Sequence, residues 1–362
     1  MKHVVFAIGS LHGGGAERVV SVWASALAEK GYKVSVIVYS RLEDEYQLSD
    51  KVNVYPIAES QKACNDMSIL KRIKSIRKLL KDLNPNVVIS FLQMMQIYMR
   101  FAGLGLKYSR VETIRINPWK SEIANSKFSK IWLSCFKKCD ALILQSEDQR
   151  PFFNEKVQKK AIVIPNPINK KYLEIQKTEY NASSHKIIAA GRLSAQKNYK
   201  MMIDAIDLVS KKYNDVSLKI YGNGNLGDEL CEYIKSKGLS DRIHLMGRSN
   251  ELYNEYSKAD LYVMSSDYEG LPNALAEAMA IGLPCISTDC KTGPRDLIDD
   301  GKNGFLTPCN DAVALAEKIK AVFEMTDNEQ REIGKAANKK ISDYCGEKSS
   351  LEKLIMLIEG LK

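Results

Sequence analysis

Short apolar runs alternate with amphipathic stretches along most of the chain. In the first half the runs fall at residues 4–8, 34–38, 52–55, 87–90, 111–114, 141–144 and 162–164. In the second half they fall at 186–190, 217–221, 243–246, 261–264 and 284–287. They are too short for helices and rich in Val and Ile. Gly, Pro, Asn and Asp bound them, as expected of strands buried on both faces. Between them, residues 16–29, 68–83, 127–138, 201–212, 228–237 and 272–281 space their apolar side chains as helices do. Residues 311–362 carry the helical pattern alone. Strand–helix alternation predicts parallel sheets with helices on both faces. A dozen or so strands exceed one such sheet, so the expected fold is α/β with two doubly wound, Rossmann-like domains.

The boundary falls at Ile164-Pro165-Asn166-Pro167-Ile168, where two prolines around one residue restrict the backbone and end a strand. This gives domains at 1–165 and 166–346, a polar linker over 169–185 and a last helix at 347–362. The N-terminal apolar run breaks into glycines at 13–15, which suits a strand and turn rather than a signal peptide. No run of about 18 apolar residues predicts a membrane-spanning helix. Eight cysteines and four histidines form no C-x-x-C pair or mixed cluster, so reduced thiols in a cytoplasmic protein are expected, without zinc or disulfides. The chain has no D-x-D triplet, so no carboxylate-held metal is signalled, and no G-x-S-x-G elbow.

Charge changes the picture of the first half. Residues 1–165 carry 26 Lys and Arg against 15 Asp and Glu, whereas the rest carry 27 against 29. The stretch 69–83 sets six cations around an apolar stripe, and 127–138 adds Phe128, Trp132 and Phe136 to lysines. Such helices either bury the stripe in a core or lie on an anionic membrane. The basic excess favours the membrane surface, and without a recognisable binding module nucleic acid is not expected as a partner.

Chemistry concentrates in residues 265–282, SSDYEGLPNALAEAMAIG. Glu269 lies in a loop after a strand, Gly270, Leu271, Pro272 and Asn273 lead into a helix, and Glu277 falls one to two turns inside it. Loops at that edge of a parallel sheet bind ligands, and a helix N-terminus there favours an anion. Two carboxylates beside an anion site suit a ligand with hydroxyls and phosphates. Arg192 and Lys197 lie in a loop after the first strand of the second half, where a planar fork and a point charge can clamp a diphosphate. The alternative is a solvated basic loop. Gly13, Gly14 and Gly15 follow the first strand and open a helix, which lets backbone approach a ligand, with His12 beside them. Gly222-Asn223-Gly224-Asn225-Leu226-Gly227 spells a dinucleotide fingerprint but follows the second strand of its half, where a turn is the better reading.

In this order and spacing, GGGAER at 13–18, GRLSAQKN at 191–198, GNGNLGDEL at 222–230, GR at 247–248 and EGLPNALAE at 269–277 resemble family 4 retaining glycosyltransferases. The likeness is greatest to bacterial enzymes that assemble capsule, O-antigen or lipid-linked glycans. It implies a GT-B fold with a nucleotide-sugar, UDP-sugar favoured, on the second domain. A glycan or lipid-diphosphate-linked acceptor would lie on the first, peripheral to the inner face of the cell membrane. By resemblance Glu277 holds the donor ribose, Glu269 the transferred sugar, and Arg192 and Lys197 the diphosphate. Backbone of Gly270 to Asn273 and of Gly14 and Gly15 cradles phosphate or sugar, and Arg248 borders the base. No cofactor or metal is implied. Many relatives place a histidine where this chain has Thr113-Ile114-Arg115-Ile116, so Arg115 joins His12 on the acceptor side. A sugar-nucleotide epimerase of the same fold and a silent glycan-binding scaffold remain the alternatives.

Overall fold

The structure, a computed structural model, describes residues 2–181 and 183–361. It divides into two compact units, Met1–Pro167 with Glu347–Lys362 (unit 1) and Ile168–Gly346 (unit 2).

The sheet of unit 1 is wholly parallel. Its strands are β1 (His3–Ala7), β2 (Lys33–Val38), β3 (Val52–Pro56), β4 (Val87–Ser90), β5 (Ser109–Thr113), β6 (Ala141–Leu144) and β7 (Ala161–Val163), in the order β3-β2-β1-β4-β5-β6-β7. Strand β1 shows why the apolar runs are continuous. Val4 and Phe6 enter a core with helix Gly15–Glu29, while Val5 and Ala7 enter the opposite core with helices Ile69–Leu83 and Gln93–Ala102. Helix Glu347–Gly360 closes the first of these cores with Leu354 and Ile358. Its Ser350 hydroxyl accepts from Trp23 Nε1 at 3.0 Å and donates to the Pro165 carbonyl at 3.2 Å. Lys2 Nζ donates to the carbonyls of Ile358 and Leu361, each at 2.7 Å, where a cation suits the negative end of a helix.

Unit 2 repeats the plan with β8 (Lys186–Ala190), β9 (Ser217–Tyr221), β10 (Ile243–Gly247), β11 (Leu261–Met264), β12 (Cys285–Thr288) and β13 (Phe305–Thr307), ordered β10-β9-β8-β11-β12-β13. In both sheets the order reverses beside the first strand, between β1 and β4 and between β8 and β11. The carboxyl ends of those strand pairs are the topological switch points, where α/β sheets leave a crevice for ligands.

The structure corrects several local expectations. Strand β13 is three residues long, too short to stand out as an apolar run. Among the described residues of 169–185, the chain is not a loose linker. They carry helix Lys170–Glu174, and Lys177 Nζ donates at 2.6 Å to the Ala259 carbonyl just past helix Leu252–Lys258. Tyr180 likewise donates to the Gly282 carbonyl at 2.8 Å, so the stretch belongs to unit 2. Helix Gln93–Ala102 is not among the elements expected from the sequence. The two basic helices behave differently. Trp132 and Phe136 are fully buried, so the aromatic face of Ser129–Lys138 is core. In Ile69–Leu83, Ile76 and Leu80 are core, but Ile69 and Leu70 remain 49% and 70% exposed. Among the described residues no helix is long and apolar enough to cross a membrane.

Candidate active site

Two loops meet at the switch point of unit 2. The first follows β8, and the second runs from β11 to helix Asn273–Ile281. Lys197 ends a short turn, Ala195–Lys197, and Asn198, at φ +46°, caps helix Tyr199–Ser210. That left-handed residue turns the chain sharply, a conformation Asn tolerates better than most. Lys197 Nζ lies 2.6 Å from Glu269 Oε1, with both side chains largely out of solvent. The same oxygen accepts from Ser266 Oγ at 2.7 Å, and Gln196 Nε2 reaches Oε2 at 3.4 Å. Glu269 is therefore held by three donors, an arrangement suited to positioning a carboxylate rather than freeing it as a nucleophile. Burial, with the Glu269 charge added, pushes the Tyr199 phenol up, so that neighbour stays neutral.

The loops are tied at backbone level. Ser265 Oγ donates to the Lys197 carbonyl at 2.7 Å, the Asp267 N–H to the Gln196 carbonyl at 2.9 Å and Gln196 Nε2 to the Tyr268 carbonyl at 2.8 Å. A third loop, after β12, completes the edge. Thr292 is fully buried at φ +69° and its hydroxyl donates to the Glu269 carbonyl. At Gly293, φ +96°, a Cβ would fall 2.6 Å from Pro272 Cδ and 2.7 Å from the Gly270 carbonyl oxygen. Pro272 stands at the N-cap, one position before the helix, and offers no side-chain cap. Glu277, fifth in the helix, is buried.

Lys197, Glu269, Gly270, Leu271, Pro272, Asn273 and Glu277 thus share one sheet edge. Arg192 is in the same loop as Lys197, exposed, and its guanidinium has no partner among the described residues. Arg248 is exposed just after β10. The G-x-G-x-x-G stretch serves packing: a Cβ at Gly222 would lie 2.0 Å from the Gly191 oxygen and one at Gly224 2.1 Å from the Leu193 oxygen. Those glycines let the β9 turn press on the loop that carries Arg192 and Lys197. Gln196, Ser266, Thr292 and Gly293 escaped the sequence reading. A Gly-Pro step at 293–294 was the one signal for the third loop.

Unit 1 arranges its switch point differently. Gly14 caps helix Gly15–Glu29 without a side-chain bond, and a Cβ there would fall 1.9 Å from Glu17 Oε2. His12 is exposed, its Nδ1 3.1 Å from the Glu43 carbonyl. Arg115 lies inward, stacked 4.6 Å over the Trp23 ring and 5.2 Å from Phe91, with Nη1 donating to Asn166 Oδ1 at 2.9 Å. Burial lowers its pKa to about 9, which leaves it a cation at neutral pH.

Comparison with known proteins agrees with this architecture. A profile described as Glycosyltransferase Family 4 matches residues 13–172, and one described as Glycosyl transferases group 1 matches 171–340. The chain is 29% identical over 357 residues to a Campylobacter jejuni enzyme, GalNAc-alpha-(1->4)-GalNAc-alpha-(1->3)-diNAcBac-PP-undecaprenol alpha-1,4-N-acetyl-D-galactosaminyltransferase, covering 95% of each chain. Among solved structures, sucrose-phosphate synthase from Thermosynechococcus elongatus superposes with a TM-score of 0.84 at 16% identity, over 100% of this chain and 99% of the other. The Anabaena protein HepE in complex with UDP-glucose gives 0.80 at 17% identity, over 100% of both chains. The paired Rossmann-like units are the GT-B architecture those structures share.

Proposed function

The chain belongs to family 4 of the glycosyltransferases, and on that premise we propose that it transfers a sugar from a UDP-sugar to a glycan acceptor carried on a lipid diphosphate. The observation that carries this reading is the edge of unit 2, where Lys197, Glu269 and the uncapped start of helix Asn273–Ile281 converge. Departure of a nucleoside diphosphate builds negative charge on its β-phosphate. Fixed cations and a helix N-terminus aimed at that charge stabilise the transition state without a metal. In this reading Lys197 and Arg192 take the diphosphate, and backbone from Gly270 to Asn273 cradles it. Glu269 orients hydroxyls of the departing sugar, Glu277 anchors the ribose and Arg248 borders the base. Gly14 and Gly15 add backbone contacts to phosphate or sugar. The acceptor hydroxyl attacks from the face the leaving group vacates, so anomeric configuration is retained.

The acceptor chemistry follows the Campylobacter relative, whose acceptor is linked to undecaprenol through a diphosphate. The UDP preference follows the HepE complex. Exposed Ile69 and Leu70 beside Lys71 and Lys74 suit peripheral contact with an anionic inner membrane face. A panel of UDP- and GDP-sugars, screened by thermal shift and then by transfer to an undecaprenyl-diphosphate glycan, tests the reading. Transfer from a UDP-sugar with retention is expected, and silence across both panels would overturn it. Conversion of donor alone, followed by NMR, would point to an epimerase. Failure to float with anionic vesicles would remove the membrane contact.

A further inference from the structure

The loop after β12 keeps step with the loop after β11. The strands themselves pair in parallel, with Tyr262 opposite Cys285 and Met264 opposite Ser287. The same offset of 23 residues returns in the bridge between Tyr268 and Lys291 and in the bond from the Thr292 hydroxyl to the Glu269 carbonyl. It returns once more at Gly293, where an added Cβ would lie 2.7 Å from the Gly270 carbonyl oxygen. The strands end, but their extensions hold the sheet register as far as the candidate site.

Thr292 is an unusual occupant of this loop. It is fully buried at φ +69°. A β-branched residue rarely adopts that region, and such strain persists only where the surrounding contacts impose it. What the contact secures follows from peptide geometry. The carbonyl and N–H of a trans peptide point in opposite directions. The carbonyls of Glu269 and Gly270 both face the third loop. The N–H groups of Gly270 and Leu271 therefore face away from it, on the side where the strand order β8-β11-β12 places the loop of Lys197. Neither N–H donates to an acceptor among the described residues. Two successive N–H groups turned to one side make a concave anion binder.

We propose that Thr292 is a positioning residue for the transfer reaction. Its hydroxyl holds the Glu269–Gly270 peptide in the orientation that aims the Gly270 and Leu271 N–H groups at the β-phosphate of the nucleotide, beside Lys197. Thr292 itself touches no substrate. Donors that are already aimed need no reorganisation as charge builds on the leaving group. The inference rests on the reading of this edge as the donor site.

The test compares nucleotide pairs by calorimetric titration of the full chain. UDP is set against UMP and GDP against GMP, because only the diphosphates carry a β-phosphate. Thr292→Val keeps the branch and size of the side chain and removes the hydroxyl. It should weaken the diphosphate that the wild type binds about tenfold and leave the matching monophosphate within about twofold. Thr292→Ser keeps the hydroxyl and should restore the wild-type ratio. A merely structural role would weaken both members of a pair alike, and that result overturns the proposal. So does an unchanged diphosphate affinity, a wild type that binds both members equally, or a Thr292→Ser variant that behaves as Thr292→Val. If Thr292→Val does not fold, Thr292→Gly, which suits the positive φ and also lacks the hydroxyl, is read in the same way. Failure of the wild type to bind either diphosphate overturns the donor reading and this role with it. Diphosphate binding that Thr292→Val leaves intact removes the role of Thr292 alone.

Discussion

The two units share a topology and treat buried charge in opposite ways. In unit 2, Lys197 and Glu269 face each other at 2.6 Å, and Ser266 and Gln196 complete the carboxylate. In unit 1, Arg115 Nε and Nη2 are buried without hydrogen-bond partners, and so, away from the switch point, are Arg110 Nη2, Arg100 Nε and Glu112 Oε2. The buried unpartnered side-chain atoms identified in unit 2 belong to Tyr262, Thr307 and Gln330, which carry no charge. A paired edge is pre-organised: its groups hold their places before a ligand arrives, and little rearrangement remains for the reaction. A buried group without a hydrogen-bond partner instead carries an uncompensated desolvation cost, or sheds its charge as Glu112 does. The difference suits the proposed donor frame in unit 2, which must be rigid.

Lys197→Ala strikes the paired edge hardest. It removes a cation from the proposed diphosphate contact and strands Glu269 in a buried position. Turnover should fall about 100- to 1000-fold, and unit 2 should lose about 3 kcal/mol or more. Steady-state rates and chemical denaturation read the two effects separately, and a variant with near-normal kcat would break the contrast at its strongest point. Gly222→Ala should do comparable harm through packing alone. Its Cβ would meet the Gly191 oxygen at 2.0 Å, and its φ of +135° suits only glycine. A loss of about 3 kcal/mol is expected from overpacking and backbone strain together. An unshifted denaturation midpoint would show that the β9 turn does not support the Lys197 loop.

Glu277→Gln is milder. It keeps the shape of the buried side chain but removes the charge from the proposed bonds to a ribose. KM for the donor should rise about tenfold with kcat nearly intact, since such a contact is alike in ground and transition states. A fall in kcat at constant KM would instead move Glu277 into the chemistry.

The paired edge was far more legible in the sequence than the corresponding edge of unit 1. Its residues sit in contiguous loops with turn-forming Gly, Pro and Asn, so spacing alone brought Arg192, Lys197, Glu269 and Glu277 to one side of a parallel sheet. The alternation of apolar runs also foretold the strands of both sheets, save β13. What stayed hidden depends on contacts between distant segments. Thr292 is 23 residues from the carbonyl it holds, and the side chain of Arg115 is held by Asn166, Trp23 and Phe91 around it. Leu92 gives no sign of its positive φ, because leucine has no preference for that region. Helix Lys170–Glu174 was masked by its polar composition, although Lys177 and Tyr180 beyond it are anchored by bonds to carbonyls about 80 to 100 residues away.

The smallest effect concerns Glu112, a buried carboxyl of unit 1. It is buried in β5, with Arg110 Nη2 3.9 Å away and Oε2 unpaired. Burial pushes its pKa from 4.5 up to about 8, against the lowering influence of Arg110 and Arg100. The folded state therefore holds a proton that the unfolded chain releases above about pH 4.5. Stability from this group is complete below that value and is lost as pH rises towards 8. Glu112→Gln supplies a permanently neutral isostere, so it should flatten the decline between those limits and be the more stable protein at pH 8.5, about where the wild type must ionise. Denaturant midpoints of wild type and variant across that range decide the matter. Parallel curves would mean that Arg110 and Arg100 already neutralise the carboxylate. Unit 1 would then pair its buried charge as unit 2 does.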